Sequence, residues 1–273
     1  MNFKKTAIIA AVAGAAVAIS SAAFAGGMPK KTAWTAYGTT SSGYAQAVAI
    51  GNMMKKHYGT NMRVIPGKND ISRMAPLRDN KAGYCACGIA AYFGQEGVFI
   101  FADKKWGPQP IRLLMTNIGS FGLSLATAKD AGVKTMADMK GKRVSWVQGA
   151  PALNWNVGAQ LAFAGLTWDD VQKVKVSGFA ASFDAIINGQ SDAAFSSTVS
   201  PSPKKLAASP RGLRWVPVPH DDAAGWKRMS AAAPVYGKVK AKIGSEVDKK
   251  NPPHLSNYPY PILVANESWD AGE

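Results

Sequence analysis

The sequence predicts an α/β fold of two doubly wound lobes joined by a two-stranded hinge. Three observations carry that expectation. Strand and helix signals alternate twice in the same order along 273 residues. An apolar run follows each set. The composition is globular, with 47% hydrophobic residues, 18% charged residues, 27 Gly and 16 Pro, which excludes a disordered tail, a collagen and a coiled coil. The length suits one large domain or two that each close a core.

The chain opens with a leader pattern. Lys4 and Lys5 precede a small, apolar run at 7–19, and Ala23-Phe24-Ala25 offers an A-x-A cleavage site. The run is shorter than the ~20 residues that span a bilayer. Residues 1–25 are therefore expected to be a cleaved signal peptide, leaving a mature, exported periplasmic chain that begins at Gly26. No later segment has 18 consecutive apolar residues.

The first β-α-β-α-β set begins with a strand at 32–36 and the polar loop 37–43. A helix at 44–57 follows, with Ala47, Val48, Gly51 and Met54 on one face, Lys55 and Lys56 near its end, and Gly59 as its stop. A strand at 62–65, the loop 66–69, a short helix at 72–79 and a strand at 84–89 complete the set. The second set has a strand at 143–148, the loop Gly149-Ala150-Pro151 and a helix at 153–164 closed by Gly165. Thr167 and Asp170 make a capping-box-like turn. A strand at 174–177, a helix at 180–188 ended by Gly189, and a strand from Asp192 to Phe195 follow. The apolar run 111–127 is expected to cross between lobes, and 259–265 to return. Lobe one would then be 26–129 completed by 258–273, and lobe two 130–257.

The charge balance narrows the partners. With 32 Lys+Arg against 17 Asp+Glu, the net charge is +15. The basic residues form scattered pairs (Lys30-Lys31, Lys55-Lys56, Lys104-Lys105, Lys204-Lys205, Lys249-Lys250) without an Arg-rich helix or an RNP-like run, so no nucleic-acid partner is expected. The excess instead favours attraction of small anions, weakened by salt. Two cysteines, Cys85 and Cys87, allow neither a disulfide framework nor a four-thiolate zinc site. They share one face of a strand, and a bridge across a single intervening residue would be strained. Buried free thiols are expected.

In an open parallel sheet, ligands sit beyond the carboxyl ends of the strands, where loops lead into helix amino termini. Exposed N–H groups and a partial positive charge there suit a carboxylate. Two loops fit: Thr39, Thr40, Ser41 and Ser42 before the first helix, and Gln148, Gly149, Ala150 and Asn154 in the second lobe. Asn69 and Ser72 occupy a matching loop in lobe one, and Ser196 and Ser197 a strand end in lobe two. Tyr44, Tyr92, Phe93, Trp155 and Phe179 are candidate aromatic walls. Micromolar affinity requires about −8 kcal/mol, whereas a helix terminus gives ~1–2 and a charged hydrogen bond ~1.5–3. Both lobes must contribute.

At these residues the sequence resembles a known family. Gly38-Thr39-Thr40-Ser41-Ser42-Gly43-Tyr44, residues 136–144 (MADMKGKRV), residues 188–195 (NGQSDAAF) and Tyr258-Pro259-Tyr260 are similar to the TAXI family, the substrate-binding proteins of TRAP transporters, with a type II periplasmic binding fold. The 136–144 pattern also occurs in binding proteins of ABC transporters. The resemblance implies a monomer that captures a small organic anion, such as glutamate or another carboxylate, and delivers it to TRAP transporter membrane subunits. No cofactor or metal is implied. Family members continue past the Tyr-Pro-Tyr strand into helices that cover lobe one, whereas this sequence ends at Glu273; it is expected to be a fragment or to leave that lobe partly uncovered.

Parts of the sequence also fit other classes. An ABC-transporter binding protein, or a ligand-sensing partner of a membrane kinase, would keep the same fold. A serine acyl-enzyme would use Ser202-Pro203-Lys204-Lys205, an S-x-x-K match, but its prolines read as a loop and neither K-T-G nor S-D-N is present. His57, His220 and His254 are far apart in sequence, and His220-Asp221-Asp222 reads as a polar turn.

Overall fold

In the computed structural model, which describes residues 29–117 and 119–268, the chain forms two sheets. The leader lies outside the described residues. The first sheet contains β1 (Lys31–Tyr37), β2 (Asn61–Gly67), β3 (Tyr84–Ala86), β4 (Ile111–Thr116) and β12 (Ile262–Asn266), in the order β2-β1-β3-β12-β4. The second contains β5 (Leu123–Ala128), β6 (Arg143–Val147), β7 (Gln172–Val176), β8 (Ala193–Ser197), β9 (Leu213–Trp215), β10 (Gly237–Lys240) and β11 (His254–Asn257). Its order is β10-β11-β5-β8-β6-β7, with β9 also paired to β5.

Each sheet holds the same parallel trio, in which the first strand lies between the two that follow it: β2-β1-β3 in one and β7-β6-β8 in the other. The connections are helical. In the first lobe, α1 (Ser42–Tyr58) and α2 (Asp70–Arg78) join the trio, and α3 (Ala90–Glu96) follows it. In the second, α4 (Pro151–Phe163) and α5 (Phe179–Ile187) do the same, with α6 (Pro201–Ala207) and α7 (Ala223–Ala232) beyond. This is the two-lobed α/β architecture that the alternating pattern predicts.

Local chemistry fixes the helix ends. The Ser41 hydroxyl accepts from the Tyr44 N–H, so α1 begins two residues before the apolar periodicity does. Gly59, at φ 70°, ends it by donating to the Lys55 carbonyl. Asn69 and Ser72 form a reciprocal capping box that starts α2 at Asp70 rather than 72. Pro151 begins α4, where its missing N–H is not needed. The same rule corrects the reading of 201–205 as a loop: Pro201 and Pro203 fall in the first turn of α6.

The apolar run 111–127 proves to be two strands in different sheets. β4 is the free edge of the first sheet and leaves Leu113, Leu114 and Met115 exposed, while all six residues of β5 are buried in the second. The chain thus changes sheets between Thr116 and Leu123, and strand pairing puts β5 with the second sheet although the sequence suggests a boundary after Lys129. The return crossing is the short stretch 258–261 between β11 and β12. Only Tyr84–Ala86 of the predicted strand 84–89 is extended. Cys85 and Cys87 are joined by a disulfide rather than free, their Cα atoms 5.2 Å apart. That separation lies within bridging range; β3 ends after Ala86, and Gly88 at φ 56° lets the chain turn.

Candidate functional site

The carboxyl ends of the two trios face each other. In a sheet ordered this way, the loops leaving the middle strand and its later neighbour diverge to opposite faces and open a crevice. Here the loops after β1 and β3 meet those after β6 and β8 around an interlobe cavity of about 30 Å³. From the first lobe, Tyr37, Ser41, Ser42, Arg73 and Gly88 line it. From the second come Ala152, Asn156, Phe179, Ser196, Ser197 and Ser200, together with Tyr258 and Tyr260 on the return crossing.

Arg73 is the charged centre. Its side chain is 1% exposed and that of Asp70, one helical turn earlier, is 0% exposed. Arg73 Nη2 donates to Asp70 Oδ1 at 2.6 Å and Nη1 to the Ala86 carbonyl at 2.8 Å. The guanidinium lies over the Tyr37 ring, 3.7 Å from its centroid, and the Tyr37 hydroxyl also donates to Asp70 Oδ1. The buried Arg73 Nε has no partner. Burial alone would lower the pKa of Arg73, but Tyr37 and Asp70 more than offset it and hold it above its ordinary value. Burial raises the pKa of Tyr37, Tyr258 and Tyr260, so these phenols stay protonated and able to donate.

The lobes are held together by direct hydrogen bonds. Asp70 Oδ2 accepts from the Ala152 N–H in the first turn of α4, at 2.8 Å, so a carboxylate of one lobe caps a helix of the other. The Asp70 N–H donates to the Gly149 carbonyl at 3.0 Å, Phe179 N–H to the Lys68 carbonyl at 3.2 Å and Ser202 N–H to the Thr40 carbonyl at 3.2 Å. Asn69 Nδ2 donates to the Gln148 carbonyl at 3.1 Å. Gly149 permits this approach: its φ is 70°, and a Cβ there would lie 2.6 Å from Asn69 Nδ2. Aromatic rings also meet across the cleft, Tyr37 stacking with Phe179 at 6.1 Å and Phe93 meeting Trp155 edge-on at 5.6 Å.

Of the residues proposed from sequence, the structure gathers Ser41, Ser42, Phe179, Ser196 and Ser197 around the cavity. Thr40, Asn69, Gln148 and Gly149 lie on the interlobe seam instead, acting mainly through backbone groups. Ala150 is buried as the residue before α4. Asn154 is also buried, its amide clamping both backbone groups of Val147 at 3.0 Å. Thr39 is exposed, and Ser72 is an exposed helix cap. Tyr44 packs outward with Trp34 and Val64, and Tyr92 is 54% exposed. In both cases the helix turns the ring away from the cleft. Sequence reasoning missed Arg73, Tyr37 and Asn156. The i,i+3 spacing of Asp70 and Arg73 was the available signal, but on a helix it equally describes a surface ion pair.

The alternative chemistries lose their geometry. Lys205 Nζ pairs with Asp184 at 2.8 Å on the surface, whereas Ser202 is buried. His220 and His254, far apart in sequence, stack with centroids 4.2 Å apart. Among the described residues, no group of three or more His, Cys, Asp or Glu is placed to hold a metal ion, and no helix is long and apolar enough to cross a membrane.

Residues 89–207, under half of the chain, match the NMT1/THI5 like family. No curated protein matches in sequence. Among solved structures, the alkanesulfonate-binding protein SsuA of Xanthomonas axonopodis pv. citri, bound to MOPS, is 16% identical with a TM-score of 0.51. The likeness covers 69% of this chain and 60% of that one, so the chain spans 60% of the length of that relative. An ancestral arginine-binding protein bound to arginine is 13% identical, TM-score 0.53, over 89% of this chain and 87% of that one. A structure from work on glutathione import in Gram-positive bacteria, via GshT and the cystine ABC importer TcyBC of Streptococcus mutans, is 15% identical, TM-score 0.50, over 88% and 83%. At these identities the likeness is one of fold: the two-lobed α/β fold of type II periplasmic solute-binding proteins.

Proposed function

We propose that this chain is an exported solute-binding protein that captures a small organic anion between its lobes and hands it to a membrane transporter. The observation that carries the reading is the cavity itself. It lies where two strand-end crevices face each other, both lobes line it, and its one charged wall is the buried, cationic Arg73. Three helices of 17, 13 and 9 residues, α1, α4 and α5, contribute residues of their first turns to it, and their partial positive charges add to that of Arg73.

A cavity of about 30 Å³ holds roughly two water molecules, so a metabolite gains access only when the lobes part. Among the described residues, two crossings join the lobes, one between Thr116 and Leu123 and one at 258–261, and rotation about them opens the cleft. The leader puts the protein in the periplasm. For the transporter, the sequence motifs support a TRAP permease, while the likeness to a structure associated with an ABC importer supports an ABC permease equally well. No catalytic role is proposed.

A thermal-shift screen of the protein against carboxylates, sulfonates and amino acids tests the reading. A solute at 100 times its Kd adds about 2.7 kcal/mol of stability, a rise of several degrees, and changes the small-angle scattering envelope. If no solute moves either the melting point or the envelope, the proposal fails.

A further inference from the structure

We infer that the cleft selects an organic anion without an ammonium group, such as a 2-oxo acid or a hydroxysulfonate, and discriminates against the matching amino compound. The inference rests on the solute-binding reading above and narrows its ligand class.

Among the described residues lining the cavity there is no Asp or Glu, and Arg73 is the one charged side chain. Asp70 is the carboxylate held by that wall, and it is already engaged. Oδ1 accepts from Arg73 and Tyr37, Oδ2 accepts from the Ala152 N–H, and the side chain is wholly buried. It does not line the cavity. A ligand ammonium would therefore be stripped of water with only hydroxyl and amide oxygens to face, and a buried charge without an opposite partner is strongly disfavoured.

The same walls suit an anion. Arg73 Nε is a buried N–H without an acceptor, and the guanidinium is held charged. The phenols of Tyr258 and Tyr260 and the hydroxyls of Ser42, Ser196 and Ser197 also line the cavity; Tyr260 interacts with Ser42 and Arg73 and Tyr258 with Asn156, so these hydroxyls would turn to donate to an anion that entered. The first turns of α1, α4 and α5 favour negative charge and oppose positive charge. An amino acid thus gains at its carboxylate and loses at its ammonium. Its 2-oxo counterpart keeps the gain alone, and its extra carbonyl oxygen is one more acceptor for these donors.

The test is calorimetric titration of the wild-type protein with matched pairs that differ in that one group: phenylpyruvate and L-phenylalanine, 2-oxoglutarate and L-glutamate, pyruvate and L-alanine, isethionate and taurine. In every pair that binds, the ammonium-free member should bind 100-fold or more tightly than its amino partner, a difference of about 2.7 kcal/mol. An amino compound that binds as tightly as its partner overturns the inference while leaving solute capture intact. Silence from every pair overturns both.

Discussion

Replacing Asp70 with alanine removes the carboxylate on which the closed arrangement converges. The change strands three donors, Arg73 Nη2, the Tyr37 hydroxyl and the Ala152 N–H, in a place where the ion pair is 0–1% exposed. Removing one member of a buried pair costs about 3–5 kcal/mol, because the other charge stays buried without a partner. At about 2–4 °C per kcal/mol for a chain of this size, the melting point should fall by roughly 6–20 °C. Replacing both residues, as Asp70→Ala with Arg73→Met, removes the stranded charge. The double variant should recover part of the loss, the part due to the unpaired charge, while the Tyr37 hydroxyl and the Ala152 N–H stay without their acceptor. Urea unfolding followed by circular dichroism gives each free energy, and unchanged slopes confirm that the transitions are comparable. A single variant within about 0.5 kcal/mol of wild type, or a double variant no more stable than the single, would refute the account of Asp70 as the partner that keeps Arg73 tolerable.

Two further outcomes test the frame around the site. Burial, with the charges of His254, Lys238 and Lys240, lowers the His220 pKa against the raising effect of the Leu255 carbonyl. The unfolded chain therefore binds more protons in this range, and the stability His220 contributes is present above about pH 6.5 and lost as pH falls through its lowered value. Melting points should decline as pH falls below about 6.5, and His220→Asn should flatten that decline; an unaltered slope would remove His220 as its source. At the seam, Gly149→Ala forces a side chain into a left-handed residue, costing about 1–2 kcal/mol, and drives its Cβ against Asn69 Nδ2. Gly141→Ala bears the same backbone penalty at φ 74° with nothing within 4 Å. Both variants should melt earlier, but only Gly149→Ala should enlarge the radius of gyration in solution scattering, and equal radii would show that the seam does not hold the lobes shut.

Much of the frame is legible in the order of residues because its causes are local. Ser41, Gly59 and the Asn69–Ser72 box set helix ends through groups three or four residues away, so their effect can be read from neighbours alone. The two β-α-β-α-β sets follow from alternation in the same way. The division of 111–127 between two sheets does not, since both halves are equally apolar and only pairing with β12 or with β8, more than 60 residues later, separates β4 from β5. The loops carrying Ser41, Ser42, Ser196 and Ser197 could be placed because strand ends and helix starts converge in such sheets. Arg73 could not, because nothing in Asp70-Ile71-Ser72-Arg73 tells a buried ion pair from an exposed one.

By itself, then, the order of amino acids determined the class of fold and the loops that border the crevice, through capping, periodicity and turn chemistry that act within a few residues. Folding in three dimensions decided which side chains meet there: that Asp70 reaches the first turn of α4 in the opposite lobe, that Arg73 is buried beneath Tyr37, and that Tyr44 and Tyr92 face away. Those outcomes depend on the packing of segments up to 223 residues apart, such as Tyr37 and Tyr260 around one cavity. Desolvation, which sets the strength of every charge in the cleft, is a property of that packing and of no single stretch of sequence.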